Sequence, residues 1–402
     1  MIEESIPLMK DKHNHISIYS ALYDCLDIQH ITSKEKALEM IENQNDDISI
    51  ILGWNSGFFD FKKDEIDRLH PLIICDLSLH DILMNRPAEE YLMDKFPRLV
   101  ENLNEQEWIE KNFSYIMKVM VSLKSVTVEK VNSFYDRLRK KGVLYIADML
   151  LPDEGTLNVL KRSRLKDHFE AWADLETFER LTDTSKKYVK GIKFFVDGAI
   201  GTKTAAIKEN FMNGKEGLLL YGGNELKEQL SIRLDKGKPM SIHTIGDIAT
   251  EEVIDKLIEF EKEGIQLPYI RMEHCQFIDE EYAEKAKVLG INLCMQPTFS
   301  FDSVYYKDRL SKKYLKKNNP FRMLIDDIGF EPGNDLFFGS DGMPHGIYPA
   351  LKSCLFPPLE SQRLDIYEFI KAYCVKGKTH GYIDVEIHEE EQKIDANVVL
   401  KK

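Results

Sequence analysis

Two histidines one residue apart, His13 and His15, open a series of metal-capable side chains that continues through Lys193, His243 and His274 to Asp341. On an extended backbone, residues two apart point to the same side, so both rings of His13-Asn14-His15 can grip one ion from a strand end. Neutral imidazoles with a carboxylate suit Zn²⁺, with Mn²⁺ or Fe²⁺ also compatible, and four or five protein ligands leave room for water or substrate. Lys193 is the odd member of the set. An ammonium cannot ligate a cation, but a lysine desolvated at a strand end has a depressed pKa, and its free amine can add carbon dioxide to form a carbamate. The alternative is a counter-ion beside a single metal, with Lys190 three residues away.

Such a set needs a scaffold that brings distant residues to one place. Lys193, His243, His274 and Asp341 each end a short apolar run: Tyr188 to Val196, Lys238 to His243, Tyr269 to His274 and Asp335 to Asp341. Runs bounded by Gly, Pro or polar residues and separated by helical stretches read as buried parallel strands of alternating β and α units. In a β/α barrel those strand ends meet at one face, where active sites form. The strand candidates are Ile6 to His13, Ile48 to Gly53, Leu72 to Leu77, Val143 to Met149, Val189 to Val196, Met240 to His243, Ile270 to His274, Ile291 to Gln296 and Leu336 to Ser340. That is one more than a barrel requires, so either the second or the third belongs to an excursion. The stretch from about Trp54 to Lys140 reads as a mainly helical insertion. Ala249 to Lys262 and Asp279 to Leu289 read as helices stopped by Gly264 and Gly290. The basic piece from Lys307 to Lys317 reads as a solvated flank.

At this level the chain resembles the amidohydrolase superfamily, and within it amidohydrolase family 3, the branch that includes N-substituted formamide deformylase-like proteins. Besides the ligand series, the match rests on Gly53-Trp54, Leu79-His80 with Asn85, Phe194 to Gly201 with Thr204-Ala205, His243 to Asp247, Glu273 to Gln276, Gln296-Pro297 and Gly339 to Asp341. The resemblance implies a distorted (β/α)8 TIM barrel holding two divalent ions. It would have His13, His15 and Asp341 on one, His243 and His274 on the other, and carboxylated Lys193 bridging both. A metal-bound hydroxide would then attack a non-peptide carbon–nitrogen bond, amide or formamide-like, with Asp341 as proton shuttle. The same centre could open a lactone or ester, and a catalytically inactive metal-binding sensor is a third reading.

Other positions are less decided by pattern. His80 matches a family position that faces the substrate, so it is expected as a second catalytic-site residue. Asp197, in a Gly-flanked turn, suits either turn capping or substrate contact, and Asp247 either a helix cap or the orientation of a histidine. His345 and Trp54 are candidate pocket residues, though an aromatic can be buried in a core without any ligand. Relatives of the resembled family carry β-structure before the first barrel strand, whereas here the histidine pair starts at residue 13. Residues 1–382 are therefore expected as barrel with an insertion over about 54–140. Residues 383–402 would be a truncated remnant of a small β-sandwich, whose strands need a partner on the barrel or in a second copy, as in a homodimer.

Composition fits a large enzyme with a small-molecule substrate. Hydrophobic residues make up 43% of the 402, and the formal net charge of −14 argues against an electrostatic grip on nucleic acid or an anionic membrane. No apolar run nears the roughly 20 residues of a membrane span, and the start Met1-Ile-Glu-Glu lacks a secretory pattern, so a cytoplasmic enzyme is expected. The six cysteines have no C-x-x-C spacing and read as reduced packing residues.

Overall fold

The computed structural model describes residues 2–76, 79–342 and 344–401. The chain divides into two compact units, Met1–Ser17 together with Val126–Lys402, and Ile18–Ser125. What reads as one N-terminal strand is two, β1 (Ile2–Pro7) and β2 (Met9–Asn14). Pro7 supplies no backbone N–H, and the chain changes sheets there.

Within Ile18–Ser125, β3 (Leu26–Asp27), β4 (Ser49–Trp54), β5 (Leu72–Asp76) and β6 (Ile82–Met84) form a four-stranded sheet in that order, parallel except for the β5–β6 pair. Its core gathers Ile28, Ile41, Ile51, Trp54, Leu72 and Ile74. Both Ile48 to Gly53 and Leu72 to Leu77 thus belong to this unit, and neither is a barrel strand; Leu77 lies outside the described residues. The excursion, expected as mainly helical over about 54–140, is an α/β unit beginning at Ile18 and ending at Ser125. The helix Val128–Lys140 falls in the other unit.

The barrel consists of β2 followed by β7 (Val143–Asp148), β8 (Phe169–Ala173), β9 (Val189–Phe195), β10 (Met240–Thr244), β11 (Ile270–His274), β12 (Asn292–Met295) and β13 (Leu336–Phe338). Neighbours pair in parallel around the sheet. A parallel bridge between Asn14 and Asp341 brings the first strand back to the last, with the Asp341 N–H donating to His13 O at 2.7 Å. Every residue of β10 and of β11 is buried, as befits parallel strands covered on both faces. The eighth strand, β8, is the one the pattern misses: Glu170 and two alanines dilute its apolar run.

Helices between the later strands follow the sequence closely. Asp247–Lys262 and Glu280–Val288 form where the apolar spacing places them, the second N-capped by Asp279, and Gly264 and Gly290 adopt the left-handed backbone that ends each. The basic stretch holds a short helix, Lys312–Lys317, capped by Ser311. No described helix is long and apolar enough to cross a membrane.

The C-terminal strands β14 (Gly381–His388) and β15 (Lys393–Leu400) pair antiparallel, and β1 completes a three-stranded sheet on the free edge of β14. The partner expected from the barrel or a second copy is therefore supplied by Ile2–Pro7. The sheet starts at Gly381 rather than at residue 383. Alternate residues Ile383, Val385 and Ile387 are buried while Asp384 and Glu386 are exposed, the two-residue period of a half-covered sheet.

Candidate metal centre

Three imidazoles, those of His13, His15 and His274, converge on the carboxylate of Asp341, and a fourth, that of His243, packs against His274. The ring centroid of His13 lies 5.4 Å from that of His15 and 4.8 Å from that of His274, and His274 lies 4.5 Å from His243. Asp341 Oδ1 stands 3.0 Å from His15 Nε2 and 3.5 Å from His13 Nε2, with Oδ2 4.0 Å from His274 Nδ1. The backbone is held in unusual places to do this. His274, Cys275 and Asp341 have φ of 71°, 44° and 58°, left-handed values that cost free energy for residues with a Cβ and tend to gather at functional sites. Gly339 is needed for close approach, because a Cβ there would sit 2.3 Å from His13 N and 2.5 Å from His13 Cβ.

Three of the four rings are held from behind. His13 Nδ1 lies 2.6 Å from Glu273 Oε2, and His274 Nδ1 lies 2.6 Å from Gln296 Oε1. His243 Nε2 lies 3.1 Å from Gly198 O and 3.6 Å from Asp197 Oδ1. Burial, with a smaller push from Lys193, lowers the His13 pKa to about 4, and burial lowers that of His274 to about 3, so both rings are neutral at pH 7. Burial works against ionisation of Asp341, but His13, His15 and His274 hold its carboxyl well below the usual range. Neutral imidazoles facing an ionised carboxylate are the protonation states that a divalent cation requires.

Lys193 lies on β9, fully buried, with its Nζ 5.1 Å from the centroid of the Phe195 ring. Burial pushes its pKa down to about 8. Among the described residues its Nζ has no hydrogen-bond partner, and neither has Nδ1 of His15. A buried polar atom left so is costly, and a ligand would satisfy it. The ligand atoms of His13, His15 and Asp341 all lie within 4.8 Å of one another. On these grounds the donor set fits a divalent ion.

The remaining candidates have local employment. Asp197 accepts from the backbone N–H groups of Ile245, Gly246 and Ala206, at 2.9, 2.7 and 3.0 Å, and so ties three turns together. Asp247 accepts from Tyr314 Oη at 2.7 Å and from Lys208 N at 3.0 Å. His345 is buried with Nδ1 2.9 Å from Ser340 Oγ, in a cluster with Asp11 and with Asn14 of the Asn14–Asp341 bridge. Trp54 and His80 belong to the other unit. Trp54 packs in its core and donates from Nε1 to Phe59 O at 2.9 Å, while His80 Nδ1 lies 2.7 Å from Glu110 Oε2 and its ring stacks on Phe113.

Glu273 and Gln296 enter the sequence reading only as parts of motifs, and Arg271 and Ser241 not as site residues; all four are buried, and Glu273 and Gln296 touch histidines of the cluster. A signal existed. Arg271 and Glu273 are charged residues two apart in a short, fully buried strand, which puts both on one buried face.

The amidohydrolase family model matches residues 6–373. The chain is 24% identical over 420 residues to YtcJ of Bacillus subtilis (strain 168), covering 91% of this chain and 78% of that protein. It is 18% identical to an uncharacterized metal-dependent hydrolase from Pyrococcus furiosus, with a TM-score of 0.65 over 92% of this chain and 80% of the other. A counterpart from Pyrococcus horikoshii ot3 is 19% identical with the same TM-score, over 92% of this chain and 77% of that one. With a parallel barrel closed at Asn14 and Asp341 and a family match over most of its length, the chain belongs to the amidohydrolase family.

Proposed function

We propose that the protein is a metal-dependent hydrolase of a non-peptide carbon–nitrogen bond, with amides and formamide-like compounds as its substrate class. The observation that carries this reading is Lys193, a buried amine without a hydrogen-bond partner among the described residues, set at the strand ends with four histidines and Asp341. A lysine with its pKa lowered to about 8 has a usable fraction of free amine at neutral pH, and carboxylation would turn it into an anionic ligand. His13, His15 and Asp341 would hold one ion, His243 and His274 a second, and carboxylated Lys193 would join them, Zn²⁺ suiting these donors.

When bound, such ions lower the pKa of water toward neutrality and polarise a carbonyl. The chain's own residues do the rest. Asp341, ionised and placed between His13, His15 and His274, can take a proton at Oδ1 or Oδ2 from the attacking water and return it to the departing nitrogen. The Asp341 side chain keeps 23% exposure, which leaves it reachable by water, while His13, His243 and His274 are buried. His15 Nδ1, lacking a partner among the described residues, would be satisfied if the ring turned to a ligand or a substrate group.

Metal per chain, measured on protein purified without chelators, beside intact mass under native conditions, tests the centre. Two ions and the mass of one added carbon dioxide are expected. One ion with an unmodified mass would return Lys193 to a counter-ion role, and no uptake of zinc or manganese would end the hydrolase reading. A panel of formamides, N-acyl amino acids and lactones then tests the bond; turnover confined to lactones would replace the amide reading with an ester one.

A further inference from the structure

Glu273 is fully buried on β11, and its two oxygens have separate duties. Oε1 accepts from Arg271 Nε at 2.6 Å and from Ser241 Oγ at 2.6 Å, while Oε2 faces His13 Nδ1 at 2.6 Å. Arg271 is itself fixed, its guanidinium 5.0 Å from the Trp172 ring centroid and its Nη2 3.0 Å from Met149 Sδ. Arg271 carries a permanent positive charge, and its buried guanidinium sits on Oε1, so Glu273 is the anionic half of that ion pair. An ionised carboxylate can only accept.

We propose that Glu273 is the positioning residue for His13, fixing the tautomer with the proton on Nδ1 so that the lone pair of Nε2 points toward Asp341. His13 Nε2 lies 3.5 Å from Asp341 Oδ1, an acceptor facing an acceptor, which is an arrangement completed by a cation rather than by a proton. The atoms of His13, Glu273 and Cys294 also lie within 4.8 Å of one another and could be taken for a metal site of their own. Arg271 on Oε1 argues against it, since a guanidinium already neutralises that carboxylate. Ser241 and Arg271 then act through Glu273, setting the angle of a ring neither touches. Partners of this kind behind a metal-bound histidine are worth about 10–100-fold in metal affinity.

The inference rests on the reading of His13 as a metal ligand, and the experiment separates the two. Zinc affinity would be measured by chelator competition on the full chain for wild type, Glu273→Gln, His13→Ala and the double variant, with thermal melts alongside. Expected are an affinity about 10–100-fold weaker in Glu273→Gln and less than about threefold further loss when the same change is made in His13→Ala. Affinity in Glu273→Gln within twofold of wild type, or an equal loss in both backgrounds, overturns the positioning role while leaving the metal centre standing. A wild-type chain that takes up no zinc overturns the metal centre, and the inference with it. Should Glu273→Gln fail to fold because Arg271 loses its counter-charge, Arg271→Met/Glu273→Gln removes both buried charges, and its zinc affinity is compared with wild type and with the same pair of changes in His13→Ala.

Discussion

The two units are built from the same material, mostly parallel strands with polar residues buried beside them, and they use those residues in opposite ways. In Ile18–Ser125, Asn85 caps the helix Arg86–Leu92. Its Oδ1 accepts from Leu72 N and Ala88 N at 3.0 Å each, and its Nδ2 donates to Ile66 O and His70 O at 2.9 Å each. His80 is paired with Glu110 and stacked on Phe113. In the barrel unit, by contrast, Lys193 Nζ and His15 Nδ1 are buried without partners among the described residues, and Asp341 and His274 sit in strained backbone. Buried polar groups that satisfy one another make a scaffold. Groups that face one another with their needs unmet make a ligand cage, at a cost in stability that a bound ion repays.

The largest test of that contrast falls on Asp341. Asp341→Asn keeps the shape and most of the contacts but cannot carry a proton, so turnover of whichever panel compound is hydrolysed should fall by about 10²–10⁴-fold, with the fold intact by circular dichroism. An Asn variant retaining more than a tenth of the activity would remove Asp341 from proton transfer. Gly339→Ala should come next. The added methyl meets His13 backbone at 2.3 Å, so His13 must move, and displacement of about 1 Å in a preorganised site costs on the order of 10²-fold in activity. Unchanged metal content and rate in this variant would mean that His13 does not need its present place.

How far the sequence foretold this division is instructive. The six-residue series was legible because polar residues near the ends of apolar runs stand out; His13, His243 and His274 lie in the last two residues of β2, β10 and β11, His15 just after β2, Lys193 two residues before the end of β9, and Asp341 three residues past β13. The allocation of strands was not. β4 and β5 are runs such as Ser49–Trp54 and Leu72–Asp76, buried along most of their length, and a sheet covered on both faces has the same period in either unit. β8 was hidden for the opposite reason, a short run diluted by Glu170 and alanine. The partnership of Ile2–Pro7 with Gly381–His388 joins the two ends of the chain, and no local pattern announces a contact of that sequence separation. Glu273 and Arg271 were visible as charges but had no function until β10 and β2 brought Ser241 and His13 against them.

Asn85 and His80, whose partners are in place, should respond to mutation in stability and not in metal. Asn85→Ala strips five partners from a buried cap, Leu69 O among them, and should cost about 1–3 kcal/mol, read as a shift in the denaturation midpoint, with zinc content per chain unchanged. His80→Ala leaves Glu110 buried without its 2.7 Å partner and should cost a similar amount. A fall in kcat/KM beyond what the stability change explains would give His80 the substrate-facing place that the family resemblance implies, and would break the contrast at that residue.

The smallest effect expected is a change of slope with pH at His345, behind the barrel closure. Burial lowers its pKa to about 3, so against an ordinary value near 6.5 the folded state prefers the neutral ring. Its contribution to stability is complete above about pH 6.5 and is lost as pH falls toward 3. Asp11, in the same cluster, has the opposite sign. Burial raises its carboxyl to about 6, so its contribution is present below about 3.8 and is lost as pH rises through 6. Between pH 6.5 and 4 the two oppose each other, and removing the imidazole leaves the aspartate alone. In His345→Gln the denaturation midpoint should therefore fall less steeply over that interval than in wild type, by at most about 1.4 kcal/mol per pH unit, the value of one proton. Parallel slopes would show that His345 takes up its proton in the folded state as readily as in the unfolded one, and the cluster behind Asn14 and Asp341 would then be open to water rather than closed.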